Sequence, residues 1–151
     1  MSCQVVERLP SQDEYNQLRA SVGWGVYERG VADAALPTSL YCVCALVEGS
    51  VVGMARVIGD GGLVYYIQDV IVRPEYQRQG IGTRLMERIM AYIRSHAHHN
   101  SVIGLMAAAG KEPFYERYGF TRRPNDRLGS GMTIFWQNEQ APPSNGSPAG
   151  L

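Results

Sequence analysis

Residues 68–86 read Q-D-V-I-V-R-P-E-Y-Q-R-Q-G-I-G-T-R-L-M. The stretch starts inside a run of β-formers, Tyr66–Val72, and ends inside an apolar-striped segment. There Ile81, Leu85, Ile89 and Ile93 recur every fourth residue, which predicts a helix from about Gly80 to His96 with one buried stripe. Gly80 and Gly82 therefore stand where a strand turns into a helix. A helix N-terminus carries unpaired N–H groups and the positive end of the macrodipole, so it attracts anions. Without side chains at 80 and 82, an anionic group can reach the amides of Arg78 through Thr83, and a phosphate or pyrophosphate fits. The alternative at this point is that both glycines serve only the tight turn. The usual nucleotide loops do not match. The stretch has no G-K-[ST], and Leu85 stands where a dinucleotide fingerprint calls for glycine or alanine.

Working outward, the elements alternate. Cys3–Leu9 reads as a strand, and Ser11 and Glu14 stand at capping-box spacing before a helix carrying Tyr15, Leu18 and Val22. Gly23–Leu36 is ambiguous between a short helix and a loop. Leu40–Val47 and Val51–Ile58 are β-rich runs joined at E-G-S, and Gly59–Gly62 turns the chain into the strand Leu63–Val72. After the long helix come a strand at Ser101–Ala107, a short helix at Pro113–Tyr118, and closing strands at Phe120–Arg123 and Met132–Trp136. The expectation is one domain over 1–136, followed by a disordered Pro/Gly/Ser-rich tail at 137–151.

Composition limits the function classes. The 151 residues suffice for one core, 45% are hydrophobic and 19% charged, and Lys+Arg equals Asp+Glu at 14. No global field draws such a chain to nucleic acid or an anionic membrane. Cys42 and Cys44 alternate along an apolar run, which reads as core packing in a reducing compartment. No signal-peptide pattern and no membrane-length apolar run occur, so a cytoplasmic monomer or homodimer is expected. His96, His98 and His99 cluster at the end of the long helix. They have no Cys or carboxylate neighbours in sequence, so they read as a solvated terminus and no metal is expected. The basic run at 122–127 is a single short segment in a neutral chain and reads as a loop.

Two motifs then carry a resemblance. Val70 and Val72, followed by Gln77, Gly80 and Gly82, resemble the acetyl-CoA signature of the GNAT superfamily of N-acetyltransferases: a V-x-V strand, then Q/R-x-x-G-x-G/A opening a helix. E-P-F-Y-E-R-Y-G-F at 112–120 matches a second GNAT motif at the expected distance. The element order agrees over about residues 3–136. The resemblance implies an α/β (α+β) GNAT fold: a mixed, mostly antiparallel central sheet with a splayed strand pair, flanked by helices. It also implies transfer of an acetyl group from acetyl-CoA to an amine by direct attack. The backbone of Asp69, Val70, Ile71 and Val72 would pair with the pantetheine. The segment Gln77, Arg78, Gln79, Gly80, Ile81, Gly82 and Thr83 would hold the pyrophosphate, with Lys111 near a CoA phosphate or in solvent.

That reaction needs a deprotonated amine, a donor to the carbonyl oxygen and a proton for the departing thiolate. Tyr115 matches the tyrosine that in many relatives lies beside the CoA sulfur, so it is the expected acid. Its alternative reading, shared with Tyr118, is aromatic packing. The motif P-F-Y-x-R-x-G-F is similar to that of aralkylamine N-acetyltransferases. In those enzymes two histidines relay a proton, whereas the matching positions here are Tyr66 and Gln68. Asp69, the only carboxylate of its strand, is the candidate to attract an ammonium and assist its deprotonation, or else it is hydrogen-bonded to structure. Trp24, Tyr27, Glu28 and Tyr66 are the candidate lining of an acceptor pocket. A small primary amine is the expected acceptor. A protein lysine or N-terminus, or a non-catalytic acyl-CoA sensor, are the alternatives.

Overall fold

Short turns pair the central β-rich runs with their sequence neighbours. The computed structural model describes residues 2–138. In it β1 (Cys3–Glu7), β2 (Tyr41–Val47), β3 (Ser50–Gly59) and β4 (Val64–Val72) form an antiparallel series, and β5 (Val102–Gly104) joins β4 in parallel. The β2–β3 turn uses Glu48 and Gly49, both at positive φ (50° and 80°), as a tightly twisted hairpin requires. In the next turn the Asp60 carboxylate accepts from the amides of Gly62, Leu63 and Val64 at 2.9, 2.8 and 3.1 Å.

The helices are α1 (Gln12–Ser21), α2 (Val31–Ala35), α3 (Ile81–His96) and α4 (Glu112–Glu116). The predicted capping box forms: Ser11 Oγ accepts from Glu14 N at 3.1 Å, and the Glu14 carboxylate accepts from Ser11 N at 2.9 Å. The predicted stripe of α3 (Ile81, Leu85, Ile89, Ile93), with Met86, is buried against β2, β3 and β4. Burial of each such side chain contributes about 1.5–3 kcal/mol. On the other face of the sheet, α1, α2 and the 3₁₀ turn after α2 bring Tyr15, Leu18, Ala32 and Leu36 onto Cys42, Cys44, Val51, Met54 and Ile71. Cys42 and Cys44 are buried free thiols, packed as expected. The ambiguous segment 23–36 resolves into a loop through Gly30, then α2, with a 3₁₀ turn at Leu36–Thr38.

The chain divides between Leu105 and Met106 into two compact units, and all the elements above except α4 belong to the first. The strand expected at Ser101–Ala107 shrinks to the three residues of β5. The closing strands expected at Phe120–Arg123 and Met132–Trp136 do not form among the described residues. Alternating apolar residues express only a tendency to extend, and a strand needs a partner backbone to satisfy its amides. Met132, Ile134 and Trp136 are instead 89%, 83% and 82% exposed. The tail expected at 137–151 lies outside the described residues apart from its first two. Among the described residues no helix is long and apolar enough to cross a membrane.

Candidate functional site

The loop that opened the sequence reading is built to leave amides free. After β4 a 3₁₀ turn, Pro74–Tyr76, uses the amides of Tyr76 and Gln77 internally. Arg78 (φ 63°) and Gly80 (φ 82°) then both adopt the left-handed conformation, and α3 starts at Ile81. The next amide to find a carbonyl is that of Arg84, which donates to Gly80 O at 3.1 Å. The amides of Arg78 through Thr83 thus have no acceptor among the described residues. They lie at the positive end of a 16-residue helix. Gly80 has open space where a Cβ would stand. Arg78, Gln79 and Gly80 are exposed, and Gly82 and Thr83 are half-buried. The Ile81 side chain is only 4% exposed in the core, so just its backbone can serve a ligand. Gln77 turns inward: its Nε2 donates to Val72 O at 2.8 Å, bracing the turn against the strand end.

Next to this loop, one edge of β4 is open. β5 pairs only with Val64, Tyr65 and Tyr66, so residues 67–72 have no strand on that side among the described residues. Gln68 pairs with Arg56 and Ile71 with Met54, so Asp69 and Val70 together oppose Ala55. This is a β-bulge, with Asp69 at φ 56°. It shifts the alternation by one, and Asp69 and Ile71 both turn toward α1.

Asp69 takes the second of the two places open to it, bonded to structure. Its side chain has no exposed surface, and Oδ1 accepts from Arg19 Nη1 at 3.2 Å. Its Oδ2 accepts from Tyr15 Oη at 2.8 Å and from Arg56 Nε at 2.7 Å. With each oxygen claimed by a donor, the carboxylate has no free face for an incoming ammonium. Of the two readings, the free acid at the cleft end gives way to the carboxylate bonded to structure, here a buried counter-ion. Burial and the adjacent Asp69 charge push the Tyr15 phenol up. Burial alone would lower the Arg56 pKa, but the Asp69 carboxylate outweighs it and raises the value. Arg19 donates to Gly25 O at 2.6 Å and lies over the rings of Tyr15, Trp24 and Tyr27 at 5.7, 5.4 and 4.9 Å.

Beside this cluster is a cavity of about 160 Å³. Val31, Ala32, Ala35 and Leu36 form its aliphatic wall, and Tyr15, Tyr27 and Arg56 its polar side. Of the expected lining residues, Tyr27 is present, stacked on Tyr15 at 6.2 Å between centroids. Trp24 instead packs against the core. Glu28 is exposed, and its carbonyl accepts from Gln12 Nε2 at 2.9 Å. Tyr66 is half-buried, and its register opposite Ile58 puts it on the sheet face that carries Arg56.

In the second unit, Tyr115 sits in α4 with Phe114 edge-on at 5.0 Å and Phe120 at 6.4 Å. Burial, aided by the Tyr118 phenol, pushes Tyr115 up to about 12. It is therefore a protonated donor at neutral pH. Lys111 precedes α4 and is exposed.

Sequence reasoning missed Tyr15, Arg19 and Arg56. One signal was available: Arg56 is the lone charge in Val51–Ile58, and an arginine inside an apolar strand needs a buried partner.

Comparison with known proteins agrees with this geometry. A family model for an acetyltransferase (GNAT) domain matches residues 28–135. The chain is 32% identical over 94 residues to GCN5-related N-acetyltransferase 3, chloroplastic, of Arabidopsis thaliana. It is 36% identical over 92 residues to serotonin N-acetyltransferase 2, chloroplastic, of Oryza sativa subsp. japonica. The matches cover 62% and 61% of this chain but only 38% and 44% of those proteins, so the chain spans less than half their length. The solved structure of a Staphylococcus aureus protein of unknown function, described as a probable acetyltransferase, superposes with a TM-score of 0.83. The two share 32% identity, and the match covers 89% of this chain and 100% of that one. With two motifs, the sheet, and a family model over most of its length, the chain belongs to the GNAT family of acetyltransferases.

Proposed function

We propose that the protein transfers an acetyl group from acetyl-CoA to the primary amine of a small molecule. The observation that carries this reading is the run of free amides from Arg78 to Thr83 at the start of α3, adjoining the open edge of β4. The pairing suits a ligand that is anionic at one end and amide-bearing at the other. The loop amides would hold the pyrophosphate, and the edge at Asp69–Val72 would hydrogen-bond the pantetheine amides. When bound, acetyl-CoA supplies a thioester activated toward amines.

The chain's own residues then have distinct tasks. Tyr115 gives a proton to the departing thiolate, a role supported by its motif and by a phenol that stays protonated at neutral pH. Asp69 is a positioning residue, holding Tyr15 and Arg56 at the cavity wall. With Asp69 saturated, water or the exposed Glu28 takes the proton of the amine. A cavity of about 160 Å³ matches a small acceptor better than a folded protein surface.

The test is release of free thiol from acetyl-CoA across a panel of small amines and lysine peptides. Turnover of a small amine, reduced about a hundredfold in Tyr115→Phe, is the expected result. Tight CoA binding with no turnover of any amine would identify a sensor. Turnover of peptides alone would move the acceptor to proteins.

A further inference from the structure

The charges around the cavity do not cancel. Arg19 and Arg56 share one carboxylate, Asp69, and both of its oxygens already accept hydrogen bonds. Arg19 is consumed: it is 4% exposed, bonded to Gly25 O and covered by three aromatic rings. The surplus positive charge is therefore presented by Arg56. Its Nε is given to Asp69 at 2.7 Å and its Nη1 to the neutral Ser39 Oγ at 3.1 Å, so the carboxylate it shares with Arg19 is its one salt-bridge partner among the described residues. The Arg56 side chain is only 14% exposed and lines the cavity. A guanidinium so poorly hydrated interacts far more strongly with an anion than one in bulk water. Opposite it stand Val31, Ala32, Ala35 and Leu36, which offer no charge.

We propose that the acceptor is a small amine that also carries a carboxylate, an amino acid or a close analogue, and that Arg56 binds the carboxylate while the aliphatic wall takes the apolar body. The inference rests on the acetyltransferase reading for the amine but not for the anion subsite. It reverses the electrostatic expectation drawn from Asp69 in the sequence. A polyamine or other cationic acceptor would meet an arginine rather than a free acid.

Matched acceptors isolate the carboxylate: phenylalanine against phenethylamine, and leucine against isoamylamine. In the wild type the amino acid of each pair should show a KM lower by about tenfold to a hundredfold, the value of a hydrogen bond between charged groups. Arg56→Gln should collapse that ratio. Arg56→Lys, which keeps a charge beside Asp69 but loses the planar fork, should reduce it and stands in if the glutamine variant does not fold. A second readout needs no turnover: calorimetric binding of 3-phenylpropionate, which has no amine, should be measurable in the wild type and lost in the Arg56 variants. If the carboxylate binds through Arg56 but no amine is acetylated, the enzyme reading fails and the anion subsite stands. Equal KM values within each pair, or carboxylate binding that ignores Arg56, would overturn the inference.

Discussion

The loop at 77–83 and the cavity beside α2 would recognise their proposed ligands in opposite ways. The loop offers backbone: Arg78 and Gln79 are exposed, Gln77 is tied to the strand end and Ile81 to the core, and its free groups are amides. The cavity offers side chains, and these are tied into the core through a buried carboxylate. Substitutions in the loop should therefore alter binding without touching stability, whereas substitutions in the cluster should alter both.

The largest effect belongs to Asp69. Asp69→Ala leaves the buried Arg19 and the half-buried Arg56 without a counter-ion and should cost about 3–5 kcal/mol, read from urea denaturation. A loss below about 1 kcal/mol would show the arginines escaping to solvent and would erase the contrast. Gly82→Val probes the other side. Gly82 is the second residue of α3, where valine is intrinsically no worse than glycine, so stability should hold. The added side chain stands among the free amides, and CoA affinity should fall at least about tenfold, one factor of 1.4 kcal/mol. Unchanged affinity in the folded variant would return the glycines to a purely structural role.

The same contrast explains what could be read from the sequence. A backbone site leaves a local mark, because glycines must stand at particular steps between a strand and a helix. The loop, the α3 stripe and the Ser11 cap were all legible within a few residues. The cluster is assembled from positions 15, 19, 56 and 69, and Asp69 reaches Arg19 only because a bulge shifts the strand by one residue. No local pattern encodes that shift, so the sequence left Asp69 open between a free acid at the cleft end and a carboxylate bonded to structure. The strands expected at 120–123 and 132–136 fail for a related reason: alternation is local but pairing is not.

Tyr115 adds a pH test of intermediate size. Its pKa is raised from 10.0 to about 12, so the proton is held more tightly in the folded state. The resulting stability is complete below about 10 and is lost as the pH rises through about 12. Activity should rise with pH as the acceptor amine deprotonates, with no fall from loss of this acid until well above 10. In Tyr115→Phe the alkaline loss of stability should shrink, while the turnover number drops about a hundredfold with little change in the KM for acetyl-CoA. A fall of wild-type activity between pH 8 and 9 that vanishes in Tyr115→Phe would contradict the raised pKa.

The smallest predicted effect joins the helix cap to the cavity. Ser11 caps α1, and the next residue, Gln12, ties down the segment leading into α2. The Gln12 Oε1 accepts from Gly30 N at 2.9 Å and from Asp33 N at 3.2 Å, and its Nε2 donates to Glu28 O at 2.9 Å. Ser11→Ala should cost about 1 kcal/mol of stability. The first turn of α1 should then fray, and the ties to residues 28–33 should loosen with it. Because Val31 and Ala32 wall the cavity, the acceptor KM should rise severalfold, while the loop of α3 and its affinity for CoA stay as they were. Equal losses for both ligands would mean that the cap acts only through global stability. A loss confined to the acceptor would show that the two recognition sites are energetically separate.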